Sequence, residues 1–112
     1  VRPLIIERNI KSKYIFSGSM FRGLDMKMVV APDNTMQKSS ILKGDILVVS
    51  RQNTARNGEI VVAIINNEYR VLRLYKEYNY YKLVSDSNAV EPVYARGVVL
   101  LGKVIGVIRT NV

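Results

Sequence analysis

The sequence predicts a mostly β fold: a small barrel or sandwich of short twisted strands with one short helical turn. Three observations carry this expectation. From residue 44 onward, short apolar runs rich in Val, Ile, Leu and Tyr are broken by Gly, Asn and Asp. The breaks recur roughly every 8–12 residues, the spacing of β-sandwiches and barrels rather than of alternating helices and strands. Two of the runs are joined by Asn66-Asn67 alone, and asparagine tolerates the positive φ angles that a tight hairpin demands.

In chain order, the first 24 residues are the least legible; residues 4–6 and 14–16 read as short strands and Ser17-Gly18-Ser19 as a loop. Residues 25–30 read as a strand. The best helix candidate is a short turn over residues 35–42, which Asp33 or Asn34 is placed to cap because a short polar side chain accepts from the unpaired N–H groups of a first turn. Strands are then predicted over residues 45–50, 59–65, 68–75, 80–85, 93–94, 98–101 and 103–109, punctuated by Gly58, Gly97, Gly102 and Gly106.

Composition narrows the function. A chain of 112 residues, 48% of them hydrophobic, fits one domain spanning residues 1–112 with a small core. There is no cysteine and no histidine, which removes disulfides, thiolate nucleophiles, imidazole bases and Cys- or His-ligated metal sites. No metal site and no cofactor is expected. The net charge is +8, but the cations are scattered without a run of five or six, so a solvated basic surface is favoured over direct nucleic-acid binding. The apolar run 98–108 is interrupted by Lys103 and is too short to span a bilayer. No secretory signal is visible, and a start at Val1 reads as a piece of a longer or processed chain. A cytoplasmic setting is expected.

Four motifs follow one another at defined spacing: Asp33-Asn34-Thr35-Met36, with Gly44-Asp45 ten residues after Thr35; Asn57-Gly58-Glu59-Ile60-Val61-Val62-Ala63; Val71-Leu72-Arg73-Leu74; and Leu101-Gly102-Lys103-Val104-Ile105-Gly106-Val107-Ile108-Arg109. Over residues 26–112 this order resembles the C-terminal domains of LexA-type repressors and their UmuD relatives, whose blocks read approximately Gly-Asp-Ser-Met, Asn-Gly-Glu-Ile-Val-Val-Ala, Val-Lys-Arg-Leu and Leu-Gly-Lys-Val-Ile-Gly-Val. Type I signal peptidases share two of the blocks and a related β fold.

The resemblance implies a serine nucleophile whose proton is taken by a lysine, which acts as a base only when burial leaves it neutral. This sequence departs at both positions: Thr35 stands at the nucleophile position and Leu72 at the base position. A leucine accepts no proton. Ser19-Met20 mimics the serine block at the wrong spacing, Ser39 and Ser40 read as turn residues, Arg73 faces away from Leu72 on a strand, and Lys76 lies about 13 Å farther along at the usual rise of ~3.3 Å per residue. The resemblance also implies self-cleavage at Ala-Gly or Cys-Gly, neither of which occurs in these residues; residues 1–24 read as a degenerate, shortened cleavage segment ahead of a β core over 25–112.

The implied protein is a non-cleaving dimerisation and regulatory domain of a DNA-binding transcriptional repressor of the SOS type. Operator DNA would be read by an N-terminal domain outside this chain, and an antirepressor or other regulatory protein is a candidate partner. The homodimer is expected to pair through the C-terminal strands, with Val99, Leu101, Val104, Val107 and Ile108 at the interface because five such residues exceed what a small core holds. The alternative is an active self-processing peptidase with an unrecognised pair of catalytic groups.

Overall fold

The computed structural model describes residues 4–7 and 25–109. The strands are β1 (Leu4–Glu7), β2 (Met26–Val30), β3 (Ile46–Ser50), β4 (Ile60–Ile65), β5 (Glu68–Lys76), β6 (Tyr81–Val84), β7 (Val93–Ala95) and β8 (Val99–Arg109), with one 3-10 turn at Gln37–Ser39. They form a single sheet curled into a half-barrel, in the order β2-β3-β8-β4-β5-β6-β7, with β1 added alongside β8. Neighbours are antiparallel except for the parallel pair β1–β8. The mostly β fold with one helical turn is thus as the sequence predicts. The expected strand over residues 14–16 lies outside the described residues.

β8 is the hub. Lys103 is paired both to Ser50 of β3 and to Val61 of β4, so those two strands occupy opposite edges of β8. Residues 98–101 and 103–109 were expected as two strands; they are one, because Gly102 lets the strand run on past a close approach. A Cβ on Gly102 would stand 2.1 Å from the carbonyl oxygen of Ser50, and the backbone there has φ +157.

The register of β8 slips twice. Val48 pairs with Gly106 but Val49 with Val104, leaving Ile105 as an extra residue; Val62 pairs with Gly102 but Ala63 with Leu100, leaving Leu101 extra. Each bulge shifts the alternation of side chains by one and increases the local twist. The consequence is visible in the packing: Val104 and Val107, three residues apart, face the same core, whereas strict alternation would send them to opposite faces.

Both faces of the sheet are covered, which is why the strands read as continuous apolar runs. Leu47 and Val49 of β3, Ile60 and Val62 of β4, and Val71 of β5 face one core with Met36 and Ile41 from the turn region. Their neighbours face outward into two further clusters: Val61, Ala63, Leu72, Leu74 and Leu83 on one half of the sheet, and Ile46, Val48 and Ile108 on the other.

The five residues expected at a dimer interface differ in their burial within the single chain. Val104, Val107 and Ile108 are 4%, 1% and 0% exposed. The bulges and the two-sided burial give the core more room than a one-sided sheet would have, so these three have no surface to offer a partner. Leu101 is half-buried against the inner core, and Val99 alone of the five stands well exposed, at 66%.

The helix candidate over residues 35–42 is also shorter than expected. Only Gln37–Ser39 are helical, because Ser40 turns into the left-handed region at φ 66 and ends the turn. At the far hairpin, Asn66 and Asn67 have φ 52 and 65, the two positive angles of a type I′ turn.

Gly102→Ala is expected to destabilise the domain by ~2–3 kcal/mol in chemical denaturation, through the clash with Ser50 and the strained φ. Gly97→Ala, where an added Cβ meets nothing within 4 Å, is expected to change stability by less than about 0.5 kcal/mol.

Candidate functional site

Thr35 opens the turn between β2 and β3. Its hydroxyl donates to Asp33 Oδ1 at 2.6 Å, and its backbone N–H donates to the same oxygen at 3.0 Å. Neither Asp33 nor Asn34 caps the 3-10 turn, whose N-cap position is Met36 without a side-chain bond; Asp33 closes a local turn onto Thr35, and Asn34 Oδ1 accepts from the N–H of Lys43 at 2.7 Å. The Thr35 carbonyl accepts from the N–H of Asp86 at 3.0 Å. Asp86 lies just beyond β6, whose Val84 pairs with Arg73 of β5, so the Thr35 turn is tied to the chain emerging beside the Leu72–Arg73 stretch.

Three sets of interactions hold this turn. The first is apolar: Met36 and Ile41, each 1% exposed, anchor it in the inner core. The second is ionic. Asp45 is 4% exposed, and Arg109 reaches it from the end of β8, Nε to Oδ1 at 3.0 Å and Nη2 to Oδ2 at 2.8 Å. Arg109 Nη2 also donates to the Ser40 carbonyl at 2.9 Å, and Asp45 Oδ2 accepts from the N–H of Leu42 at 2.8 Å. The third is a polar chain: Arg73 Nη2 donates to Ser39 Oγ at 2.9 Å, and Ser39 Oγ donates to Asp86 Oδ2 at 2.7 Å.

The Asn57-Gly58-Glu59 motif forms the turn entering β4. Gly58 has φ +83, which favours glycine. Its N–H donates to the Leu74 carbonyl at 2.7 Å, its carbonyl accepts from Arg73 Nη1 at 2.6 Å, and Asn57 Oδ1 accepts from the N–H of Lys76 at 2.7 Å. Glu59 is ion-paired with Lys103 of β8 and accepts from the N–H of Arg56 at 2.6 Å. The Lys103 hydrogen bond first, then the Arg56 N–H, hold the Glu59 carboxyl below the ordinary carboxylate range. A depressed carboxylate stabilises the fold at neutral pH, and that contribution is lost as pH falls through the lowered pKa.

Leu72 is 1% exposed and packs with Val61, Ala63, Leu74, Leu83 and Ala55. The partly buried Ile65, Tyr81, Val93, Val98 and Leu100 pack against that cluster. Arg73 points from the opposite face of β5 to Gly58 and Ser39, as alternation predicts. Lys76, at the exposed end of β5, is held by its backbone to Asn57. Ser19 and Met20 lie outside the described residues. Among the described residues no cluster of three or more metal-ligating side chains occurs, and no helix is long and apolar enough to cross a membrane.

Sequence reasoning missed the pairing of Asp45 with Arg109 and the chain from Arg73 through Ser39 to Asp86. The first had a signal: both residues stand in the quoted motifs, but they are 64 positions apart and nothing local joins them. The second had none, since Ser39 reads as an ordinary turn serine.

A curled antiparallel sheet that holds a hydroxyl-bearing turn beside a hairpin strand is the arrangement of a peptidase-like β domain. Residues 2–105 match the Peptidase S24-like family, and the chain belongs to that family. It is 36% identical to the LexA repressor of Desulfitobacterium hafniense over 108 residues, 96% of this chain and 53% of that protein. It is likewise 36% identical to the LexA repressor of Caldicellulosiruptor saccharolyticus over 107 residues, 96% and 53% of the two chains. With the LexA repressor of Pelotomaculum thermopropionicum it shares 44% identity over 82 residues, 73% of this chain and 40% of that one. The chain thus spans about half the length of the curated relatives it matches.

Leu72→Lys introduces an ammonium into an apolar cluster. Burial disfavours the charged form and lowers the lysine pKa, so the unfolded chain binds more protons than the folded one. Stability of this variant is expected to rise with pH, by up to about 1.4 kcal/mol per unit between the folded and unfolded lysine pKa values. Urea denaturation at several pH values between neutral and alkaline measures this; a pH-independent loss would show that the side chain escapes to water.

Proposed function

We propose that this chain is the non-cleaving dimerisation and regulatory domain of a LexA-like transcriptional repressor. The observation that carries this reading is Leu72: the position matching the family's catalytic lysine in motif order holds a buried leucine in a hydrophobic cluster. A leucine side chain has no group that can take a proton from Thr35. The threonine hydroxyl is instead engaged with Asp33 on its own turn.

That hydrogen bond is also the one feature favouring an active peptidase, with Asp33 as the base. It is the weaker reading, because a carboxylate is a far poorer base toward a hydroxyl than a neutral amine. In the proposed protein, operator DNA is bound by a domain outside this chain, the setting is the cytoplasm, and repression is relieved by an antirepressor or another regulatory protein rather than by self-cleavage. Dimerisation places two DNA-reading domains on a two-fold site. It runs through β8, where Val99 and the half-buried Leu101 remain available to a partner.

The test of the non-cleaving reading is alkaline incubation, which deprotonates a lysine base, of the chain alone and mixed with a peptide containing an Ala-Gly bond. Both are expected to stay intact by mass spectrometry; fragments abolished by Thr35→Ala would establish the peptidase instead. Sedimentation tests the dimer. At about 10 μM the chain is expected to sediment as a dimer and Val99→Glu to weaken it by about tenfold or more, an apolar anchor replaced by a charge. A wild-type monomer at 100-fold higher concentration would refute the pairing.

A further inference from the structure

A cavity of about 680 Å³ opens on the face of β5 opposite Leu72, between the 3-10 turn, the Asn57-Gly58-Glu59 turn and the middle of β8. Its volume lies in the range of small-molecule sites, about 300–1,000 Å³. Four cations line it, Lys38, Arg56, Arg73 and Lys103, against the single carboxylate of Glu59. Asp86 stands behind Ser39, outside the lining, and is already occupied by the Ser39 hydroxyl.

Arg73 is the element that makes this more than surface charge. It is partly buried and fixed at two points, Nη1 on the Gly58 carbonyl and Nη2 on Ser39 Oγ. Those two bonds leave further donors of its planar fork, which matches carboxylate and phosphate oxygens in pairs. A side chain already held in place loses little entropy on binding. Lys103 is positioned by Glu59 on the facing wall, and Lys38 and Arg56 stand exposed at the rim. Low-dielectric walls lined by one sign of charge focus the field inward.

We infer that this cleft binds a small, multiply charged anion of the polyphosphate class. The excess of cations calls for more than one negative charge on the ligand. Concavity favours a small molecule over duplex DNA, which needs a track of cations on an open face; the remaining cations of this chain are scattered. The inference does not depend on whether Thr35 is catalytically silent, since the cleft and Leu72 lie on opposite faces of β5.

Calorimetric titration of the chain with inorganic tripolyphosphate in 150 mM salt tests it. Saturable binding at one site per chain is expected. The double variant Lys38→Gln/Arg56→Gln, both exposed on the cleft rim, is expected to weaken binding about tenfold or more. Lys27→Gln/Arg96→Gln, which removes the same net charge from two exposed residues that do not line the cleft, is expected to weaken it less than about twofold, because salt screens charges acting through solvent. Arg73→Lys, which keeps the charge and loses the fork, is expected to weaken it several-fold with the circular dichroism spectrum unchanged. Absence of saturable heat, equal weakening by the two charge-matched doubles, or a short DNA duplex that binds more tightly than tripolyphosphate and shows the same pattern among the variants would each overturn the proposal.

Discussion

A carboxylate withdrawn from water needs partners on both oxygens, and much of this fold follows from how Asp45 meets that condition. Arg109 takes both oxygens in a fork from the end of β8, and the N–H of Leu42 adds a third bond. The same guanidinium reaches the Ser40 carbonyl, so one residue at the end of the last strand ties the start of β3 to the turn that carries Thr35. Removing either partner of such a buried pair costs ~3–5 kcal/mol, because the other is left as an uncompensated charge. The pair acts where the apolar core alone would leave the turn free to slide.

β8 provides the second constraint. It pairs with β1, β3 and β4, which a regular strand could do only in a flatter sheet. Bulges at Leu101 and Ile105, with Gly102 between them, supply the twist that curls the sheet and turn Val104 and Val107 onto the same core. The strand most apolar in sequence is apolar because it is buried on both faces. Of its apolar side chains, Val99 is exposed and Leu100, Leu101 and Ile105 are partly buried.

The site has two sides with opposite chemistry. On one face of β5, Leu72 is buried in a hydrophobic cluster. On the other, Arg73 is fixed between Gly58 and Ser39 at the back of a cationic cleft. Alternation along a single strand separates the two, so the packing around Leu72 and the cleft are built on different faces. Glu59, paired with Lys103, joins the cleft wall to β8 and so couples it to the strand proposed to pair in the dimer.

Most of the strands, the Asn66-Asn67 hairpin, the turn at Thr35 and the motif blocks that hold Thr35 and Leu72 were legible in the sequence, because each is a matter of local pattern or of motif order. The extent of the helical turn was not, since Ser40 ends it by adopting a left-handed angle that no local propensity requires of a serine. Nor was the fate of Val104, Val107 and Ile108: identical valines and isoleucines line a core or an interface, and only the register of β8 against β3 and β4 decides which. The Asp45–Arg109 pair and the Arg73–Ser39–Asp86 chain likewise join residues distant along the chain. The sequence by itself determined the family, the strand order along the chain and the motif blocks in which Thr35 and Leu72 stand. The tertiary structure alone decided which charges meet, which apolar residues remain for a partner and where a cationic cleft opens, because these depend on distances between segments that no spacing along the chain encodes.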